Sequence, residues 1–252
     1  MTVIAAIPAR YDSARLPGKP LLEVAGMALI ERVYRQVERA SDITETIVLT
    51  DDERIEAAVA GFGGKVAMTP RELASGTDRV AFAARHWDPE VVLNVQGDEP
   101  LVSPDALSRL ARYLSEHPSS PVATLAAPAR AGDLDDPNVV KVVVASDGRA
   151  LYFSRAGIPY PRNPECVEPL AHVGVYGYQR AALLEIASIE PSPLERAESL
   201  EQLRMLENGY DIQVLRVPEA WPGVDTIEDL RQVAQILAGS GGRSPERPGG
   251  GS

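Results

Sequence analysis

A short segment near the amino terminus, Pro8–Pro20, carries cationic side chains suited to binding phosphate. They are Arg10, Arg15 and Lys19, with Asp12 as the acid among them. An arginine can donate hydrogen bonds to two phosphate oxygens, and a lysine supplies a compact positive charge. The segment follows an apolar run typical of a buried strand, and ligands of open α/β sheets bind beyond the carboxyl ends of strands. These residues predict a polyphosphate site; a solvated loop whose cations pair with nearby carboxylates is the alternative.

The order of residues in this segment excludes two common phosphate-binding motifs. The P-loop pattern G-x-x-x-x-G-K-[ST] is absent, and so is the dinucleotide pattern G-x-G-x-x-G. Walker-type NTPases and hydride-transfer enzymes are therefore disfavoured.

Two acids elsewhere in the chain could complete such a site. Asp98 follows the apolar run 91–95, where a carboxylate could meet a ligand held by the first loop, or could instead stabilise a tight turn. Asp225 precedes an amphipathic stretch, and its ordinary interpretation is a capping box in which Asp225 or Thr226 starts a helix, with Glu228 or Asp229 three residues on. Spacing alone leaves both alternatives open.

Composition limits the classes of partner. The 252 residues hold 25 Lys and Arg against 36 Asp and Glu, a net charge of −11, which argues against nucleic-acid and anionic-membrane surfaces. A single cysteine, Cys166, excludes a disulfide framework and a cysteine-rich zinc site, and three scattered histidines argue against a histidine metal cluster. We expect a reduced, cytoplasmic protein without a membrane span, whose anionic ligands are bound by a local basic cluster.

The hydrophobic pattern predicts an α/β fold with a mostly parallel sheet flanked by helices. Apolar runs predict strands at 3–7, 46–50, 65–68, 91–95 and 122–127, with helical stripes of apolar residues at 29–37, 55–59 and 107–114 between them. Later segments predict a hairpin (139–145 and 150–154), strands at 173–178 and 212–217, and helices at about 194–208 and 226–237.

These elements suggest one domain over residues 1–238 with a non-parallel insert at about 136–178. The final segment, 239–252, is rich in Gly, Ser, Pro and Arg. Because such a composition cannot bury a core, we expect this tail to be disordered.

The first loop, read as IPARYDSARLPGKPL, resembles the signature loop of the sugar-activating cytidylyltransferases, and most closely that of the 3-deoxy-manno-octulosonate (Kdo) cytidylyltransferases. Further blocks match that family in order and approximate spacing. They are TDDERI, ASGTDR, NVQGDEP, PNVVKVV, YFSRAGIPYPR, HVGVYGY, LEQLRMLENG and GVDTIEDL. The match extends from about Val3 to Leu237 and implies a Rossmann-like nucleotidyltransferase fold whose inserted, smaller mixed-sheet region serves sugar binding and dimerisation.

The resemblance also assigns roles on the nucleotide side. It implies that the first loop holds the triphosphate of CTP, that Gln96 approaches the nucleotide, and that a second segment lies beside it. The first-loop residues are Arg10, Ser13, Arg15 and Lys19, and the second segment contributes Ser75, Gly76, Asp78 and Arg79. Without the resemblance, Ser75 would be interpreted as a helix cap followed by a glycine turn.

For the metal and the sugar, the implied roles fall on other blocks. Asp98 and Asp225 occupy the family's Mg²⁺-binding positions, and two carboxylates suffice because Mg²⁺ also takes phosphate oxygens and water. With Arg10 and Lys19 they form the expected catalytic set. The implied sugar-binding residues are Arg155, His172, Tyr176, Glu201 and Gln202. Without the resemblance, Arg155 would be interpreted as a surface residue of a loop and His172 as a packed histidine. Tyr176 would be a core residue of a strand, and Glu201 an ion-pair partner.

The implied reaction is CTP + Kdo → CMP-Kdo + pyrophosphate, a step that supplies lipopolysaccharide assembly, with a homodimer as the expected assembly. Small departures from the family pattern, at Gly157, Ile227 and 163–169, leave the sugar open. Alternatives are a cytidylyltransferase for another acidic sugar, such as 8-amino-Kdo or a sialic-acid type, and a nucleotide-binding module without turnover.

Overall fold

A nine-stranded mixed sheet forms the centre of the computed structural model, which describes residues 1–12, 16–166 and 168–240. The strands in chain order are β1 (Val3–Pro8), β2 (Glu23–Val24), β3 (Met27–Ala28), β4 (Glu45–Thr50), β5 (Val66–Met68), β6 (Val91–Asn94), β7 (Val122–Pro128), β8 (Lys141–Val144), β9 (Ala150–Ser154), β10 (Leu170–Gln179) and β11 (Ile212–Arg216). The main path of the sheet runs β11-β7-β10-β6-β1-β4-β5, β8 and β9 extend from β10, and β2 and β3 form a separate hairpin.

Strand direction places most loops of interest at one edge of this sheet. β1 is parallel to β4 and β6, and β7 is parallel to β11, whereas β10 is antiparallel to both β6 and β7. Two reversals restore the original direction, so β11 and β7 point the same way as β1 and β6. The segments that follow β1, β4, β6 and β11 therefore leave the sheet at a common edge.

Helices cover both faces of the sheet. They are α1 (Leu29–Glu38), α2 (Glu53–Gly61), α3 (Gly76–Ala84), α4 (Pro104–Glu116), α5 (Arg180–Ile186), α6 (Pro193–Glu198), α7 (Gln202–Glu207) and α8 (Ile227–Ser240).

The residues of β1 show which helices pack on each face of the sheet. Its odd-numbered residues join a core cluster with α1, α2 and α4, whereas Ile4 and Ala6 join a second cluster with α3, α5 and α7. A strand covered on both faces must be apolar throughout, which explains why 3–7 is an unbroken apolar run.

The predicted α/β architecture is confirmed, with corrections at particular elements. The helix expected at 194–208 is wrong: α6 and α7 are separate, because Ser199 adopts a left-handed conformation with φ 52° and Leu200 turns into the core. The last helix continues to Ser240, through two residues assigned to the tail, and residues 241–252 lie outside the described part of the chain.

The predicted insert also differs in extent. β8 and β9 form the expected hairpin beside β10, but β10 itself lies between β6 and β7 in the central sheet. The strand expected at 173–178 is thus longer and belongs to the main core. None of the helices in the described residues is long and apolar enough to cross a membrane.

Close packing of β10 against α4 predicts an intolerant position at Gly177. A Cβ added there would lie 2.5 Å from Leu114 Cδ1 and 2.8 Å from Leu93 Cδ2. We expect Gly177→Ala to lower the free energy of unfolding by about 1–3 kcal/mol, measured by urea denaturation. Gly174→Ala, in the same strand with nothing within 4 Å of the added atom, is the matched control. Equal destabilisation by the two variants would contradict this packing account.

Candidate active site

Lys19 joins the two acids singled out in the sequence. Its ammonium group lies 2.7 Å from Asp98 Oδ2 and 3.2 Å from Asp225 Oδ1, and it also donates to the Val224 carbonyl at 2.9 Å. The lysine side chain is 13% exposed, against 31% for Asp98 and 50% for Asp225. Side chains from three distant segments thus converge, with the lysine on the inner side and the carboxylates open to solvent.

The backbone around these acids explains their convergence. The turn after β6 approaches the end of β1 so closely that a Cβ on Gly97 would stand 2.9 Å from the Pro8 carbonyl oxygen. The Val224 amide donates to the Asp98 carbonyl at 2.9 Å, which fixes the segment after β11 to the same turn. The close approach to the Pro8 carbonyl makes a glycine necessary at position 97.

Of the two capping boxes predicted here, the one formed by Thr226 with Asp229 is present. The Thr226 hydroxyl accepts from the Asp229 amide at 3.2 Å, and the Asp229 carboxylate accepts from the Thr226 amide at 2.8 Å. This reciprocal pair satisfies the start of α8. The Asp225 carboxylate therefore pairs with Lys19 while the next residue caps the helix.

Glu99 is a third acid at this point that the sequence did not single out. Burial of its carboxyl group, with the nearby charge of Asp98 adding to the effect, raises the pKa of Glu99 to about 8. A protonated Glu99 adds no charge at neutral pH, so the two solvent-facing carboxylates carry the negative charge of the cluster. The QGDEP block contained this residue, but spacing alone did not distinguish a buried acid from an exposed one.

A cavity of about 220 Å³ lies above the cluster. Arg10 is in its wall and also donates to the Leu73 carbonyl, which connects the first loop to the segment before α3. Ser13 and Arg15 lie outside the described residues. The cavity is lined by Pro8, Ala9, Arg10, Asp12, Lys19, Pro20, Gln96, Gly97 and Asp98.

The start of α3 borders this cavity, and Ser75 and Asp78 form a capping box there. Gly76 lies against Pro8 and Gln96, 3.6 Å from the Gln96 Oε1 atom when measured from an added Cβ. The predicted nucleotide-side segment therefore adjoins Gln96.

Arg79 departs from its predicted role as a direct ligand contact. Its side chain is 0% exposed, donates to Thr69 Oγ1, and pairs with Asp51 Oδ2 at 3.0 Å. Burial lowers the pKa of its guanidinium group. The arginine holds α3 to the end of β4, and this placement suits support of the site rather than contact with a ligand.

His172 and Tyr176 belong to an aromatic cluster on β10. The His172 ring centroid lies 5.2 Å from that of Tyr176 and 5.1 Å from that of Phe153. Thr124 Oγ1 donates to the Val175 carbonyl at 2.8 Å, so the His172 Nε2 atom, 3.0 Å from the same oxygen, is the donor. Burial lowers the pKa of His172 to about 3, so the imidazole is neutral at neutral pH, and with Nε2 as the donor its Nδ1 atom is an acceptor.

Arg155 is held by backbone carbonyls. Its guanidinium donates to Glu198 O at 2.7 Å, Pro137 O at 2.9 Å and Ser199 O at 3.4 Å. The Glu198 carboxylate accepts in return from the Arg155 amide at 2.6 Å and from the Ser154 hydroxyl at 2.9 Å. In this conformation Arg155 fastens the insert to the end of α6, a role that motif position alone did not reveal.

Glu201 reaches from the start of α7 towards the nucleotide side. Its carboxylate accepts from Thr77 Oγ1 at 2.9 Å and lies 3.5 Å from Ser75 Oγ, and burial raises its pKa. Gln202 is buried beside it. A larger cavity of about 570 Å³ lies between α4 and the segment 217–222, and none of the predicted site residues that the structure describes line it.

Two groups of predicted residues are thus assembled, one around Lys19 and one around β10, with Glu201 connecting them to α3. Comparison with known proteins shows which family the chain is similar to. A family model described as cytidylyltransferase matches residues 4–212. A 3-deoxy-manno-octulosonate cytidylyltransferase of Syntrophotalea carbinolica is 46% identical over 249 residues, covering 95% of this chain and 100% of the relative. The chain belongs to the Kdo cytidylyltransferase family.

Further members support the assignment. The Kdo cytidylyltransferase of Escherichia coli is 44% identical, with 92% of this chain and 94% of the relative covered. A solved structure of CMP:2-keto-3-deoxy-manno-octonic acid synthetase complexed with CTP shares 42% identity, covers 95% of this chain and 100% of its own, and superposes with a TM-score of 0.92. A nucleotidyl transferase from Methanothermobacter, at 16% identity and a TM-score of 0.62, shares the fold.

The buried neutral His172 predicts a specific pH dependence. Its pKa is about 3 in the folded protein and about 6.5 in the unfolded chain, so below pH 6.5 the unfolded state binds a proton that the folded state does not. The free energy of unfolding should fall as the pH falls from about 6.5 towards 3, by up to about 1.4 kcal/mol per pH unit from this group.

Urea unfolding between about pH 7 and pH 5 checks this expectation. We expect His172→Asn to lose stability with falling pH less steeply than the wild type. His117→Asn, at an exposed ring stacked on Tyr113, is the control and should retain the wild-type slope. Identical slopes for His172→Asn and the wild type would contradict the buried neutral state.

Proposed function

We propose that the protein transfers CMP from CTP to the anomeric hydroxyl of Kdo, giving CMP-Kdo and pyrophosphate. The observation that carries the proposal is the pairing of Lys19 with Asp98 and Asp225 beside a cavity lined by Arg10 and Gln96, in a chain of this family. An oxygen–phosphorus bond forms between the sugar hydroxyl and the α-phosphate, and the bond from the α-phosphorus to the bridging oxygen breaks. The hydroxyl proton is released, and pyrophosphate leaves.

The cationic residues would hold the triphosphate. Arg10 lies in the cavity wall with its guanidinium anchored on the Leu73 carbonyl, and Lys19 lies beneath with its charge fixed between two acids. Positioned cations neutralise the charge that develops on the departing pyrophosphate. Ser13 and Arg15 remain predicted contacts of the same phosphates.

We further propose a Mg²⁺ site at Asp98 and Asp225. The donor set fits the ion, because two solvent-facing carboxylates lie close enough to share one ammonium group, and their charges contribute to the raised pKa of Glu99. A bound Mg²⁺ supplies charge neutralisation at phosphate oxygens and lowers the pKa of a coordinated hydroxyl. Lys19 would keep the two carboxylates oriented towards the cavity.

On the sugar side, the proposal assigns neutral hydrogen-bonding groups to the hydroxyls of Kdo. The His172 ring offers Nδ1 as an acceptor beside Tyr176, and Gln202 is a further member of the predicted set. Arg155 would contact the sugar carboxylate only by releasing some of its backbone carbonyls. In the described conformation it orients the loop instead.

Pyrophosphate release with a panel of sugar acids tests the proposed reaction. We expect release with CTP, Mg²⁺ and Kdo, and little with a sialic-acid-type nine-carbon acid, since the pocket is assigned to Kdo. A protein that is active with 8-amino-Kdo and inactive with Kdo would overturn the substrate assignment. Omission of Mg²⁺ or addition of chelator should abolish turnover.

The Asp98→Asn variant separates an enzyme from a nucleotide-binding module. We expect CTP binding to remain within about tenfold and turnover to fall by at least about a hundredfold, because a carboxylate that acts at the transition state is lost. Asp88→Asn, at an exposed acid away from the cavity, is the matched control. A wild type that binds CTP and shows no turnover across the panel would favour the binding module.

We also propose a cytoplasmic location and a role in supplying an activated sugar for lipopolysaccharide assembly. Cys166 is an exposed free thiol, which suits a reducing compartment. The reaction product is an activated glycosyl donor, so a glycosyltransferase must consume it.

A homodimer formed through the 136–162 region is the proposed assembly. β9 pairs on one side with β8, Leu151 on that strand is 52% exposed, and Tyr160 in the following loop is 85% exposed. We expect light scattering to give twice the 27.1 kDa chain mass, and Tyr160→Asp to shift it towards the monomer. Met68→Asp, at an exposed residue of β5 on the far edge of the sheet, is the control. A wild-type monomer would refute the dimer.

A further inference from the structure

A chain of four polar side chains, the middle two of them buried, connects the predicted sugar side of the site with the predicted nucleotide side. Thr77 Oγ1 donates to Glu201 Oε2 at 2.9 Å, Asn94 Nδ2 donates to Thr77 Oγ1 at 3.2 Å, and Gln96 Nε2 donates to Asn94 Oδ1 at 3.3 Å. We call Glu201, Thr77, Asn94 and Gln96 the relay. Its two middle members belong to neither group of predicted site residues.

The relay is built into the core rather than lying on the surface. Asn94 is 1% exposed and Thr77 is 5% exposed, and they occupy the end of β6 and the first turn of α3. Buried polar groups that lack a partner are costly, so these side chains are held to the contacts they make. Substituting either middle member breaks the connection between the two ends.

The Glu201 carboxylate is the acceptor at one end of the relay, and this sets the direction of every hydrogen bond. It accepts at both oxygens, from Thr77 Oγ1 and from Ser75 Oγ. The single hydroxyl proton of Thr77 is thereby used, so Thr77 must accept from the Asn94 amide nitrogen. The Asn94 carbonyl oxygen is then left to accept from the Gln96 amide nitrogen.

Tyr178 does not disturb this order. Its hydroxyl also lies beside Thr77, whose oxygen has a second lone pair available for a further donor. The polarity of the relay therefore follows from Glu201 regardless of this neighbour.

At the other end, the amide of Gln96 is left with one orientation. Its nitrogen is used by Asn94, and its carbonyl oxygen Oε1 faces the start of α3 beside the cavity that Arg10 and Lys19 line. Within the described residues, Oε1 accepts no hydrogen bond. The Gln96 side chain thus offers the cavity its acceptor Oε1, while its donor Nε2 is bound to Asn94.

We propose that Gln96 binds a hydroxyl group of a substrate through Oε1, and that Thr77 and Asn94 are the positioning residues that enforce this orientation. The inference rests on the proposed function, because it concerns how that site recognises its substrate. The hydroxyl belongs either to the ribose of the nucleotide or to the sugar acid. Without the relay, the Gln96 amide is free to rotate and present its nitrogen instead.

A comparison of Thr77 variants with hydroxyl-deleted substrates tests the relay. Thr77→Val removes the hydroxyl at nearly constant shape, and Thr77→Ser restores it. In one arm, CTP is compared with 2′-deoxy-CTP and 3′-deoxy-CTP; in the other, Kdo is compared with analogues that lack single hydroxyls. Ser108→Ala, which removes a buried hydroxyl on α4, is the matched control.

We expect one substrate hydroxyl to contribute about tenfold to kcat/KM in the wild type, the size of a typical net hydrogen bond. In Thr77→Val the same deletion should cost less than about twofold, because Gln96 no longer holds its acceptor in place. The variant itself should lose about tenfold, mostly through the KM of the substrate that carries the hydroxyl. Thr77→Ser and Ser108→Ala should behave as the wild type does.

Coupling between the variant and the deletion identifies the source of the hydroxyl, since it appears in the nucleotide arm or in the sugar arm. Additive losses in both arms would overturn the relay. If Thr77→Val does not fold, as judged by its thermal transition, Thr77→Ala makes the same test without the branched methyl group.

Calorimetric titration of both ligand series keeps this test separate from the proposed reaction. A wild type that binds the ligands without turnover refutes the proposed function, while the dissociation constants still show whether the losses couple. An active wild type with additive losses refutes the relay alone.

Discussion

The pairing of one partly buried ammonium group with two carboxylates is the interaction on which this site depends. Lys19 comes from the loop after β1, Asp98 from the turn after β6 and Asp225 from the segment after β11, so their meeting requires that all three strands end at one edge of the sheet. β10 makes this possible: it runs antiparallel between β6 and β7, and two reversals return β7 and β11 to the direction of β1.

The same pairing accounts for how an acidic chain can bind a triphosphate. The net charge is −11, and the acids at this site add to the repulsion that a phosphate would meet. Burial and the charge of Asp98 keep Glu99 protonated, while Lys19 offsets part of the remaining charge. The exposed faces of Asp98 and Asp225 then suit a divalent cation, which would turn their negative charge into a means of holding the nucleotide.

Sequence reasoning succeeded where chemistry and chain position agreed. Lys19, Asp98 and Asp225 follow apolar strands, and parallel strands fix where their side chains meet. Arginines were harder to assign, because a guanidinium with five donors is satisfied equally by phosphate, by a partly buried acid as at Arg79, or by carbonyls as at Arg155. The break between α6 and α7 at Ser199 could not be predicted from the hydrophobic periodicity. Its cause is the left-handed backbone conformation of Ser199 next to a buried residue, and the spacing of apolar residues does not indicate such a conformation.

The roles of Thr77 and Asn94 could not be predicted from the sequence for a related reason. A short polar side chain within an apolar strand or at a helix start has an ordinary structural explanation, and only its three-dimensional partners distinguish a network from an isolated cap. β10 brings those partners together, since Tyr176 is paired in register with Asn94 and His172 lies on the same strand. The strand that restores the direction of the sheet therefore also brings His172 and Tyr176, which the sequence predicts to bind the sugar, against β6, and Gln96 and Asp98 follow the end of β6. Any shift in the pairing of β10 with β6 would move Gln96 and Asp98 relative to His172 and Tyr176 at the same time.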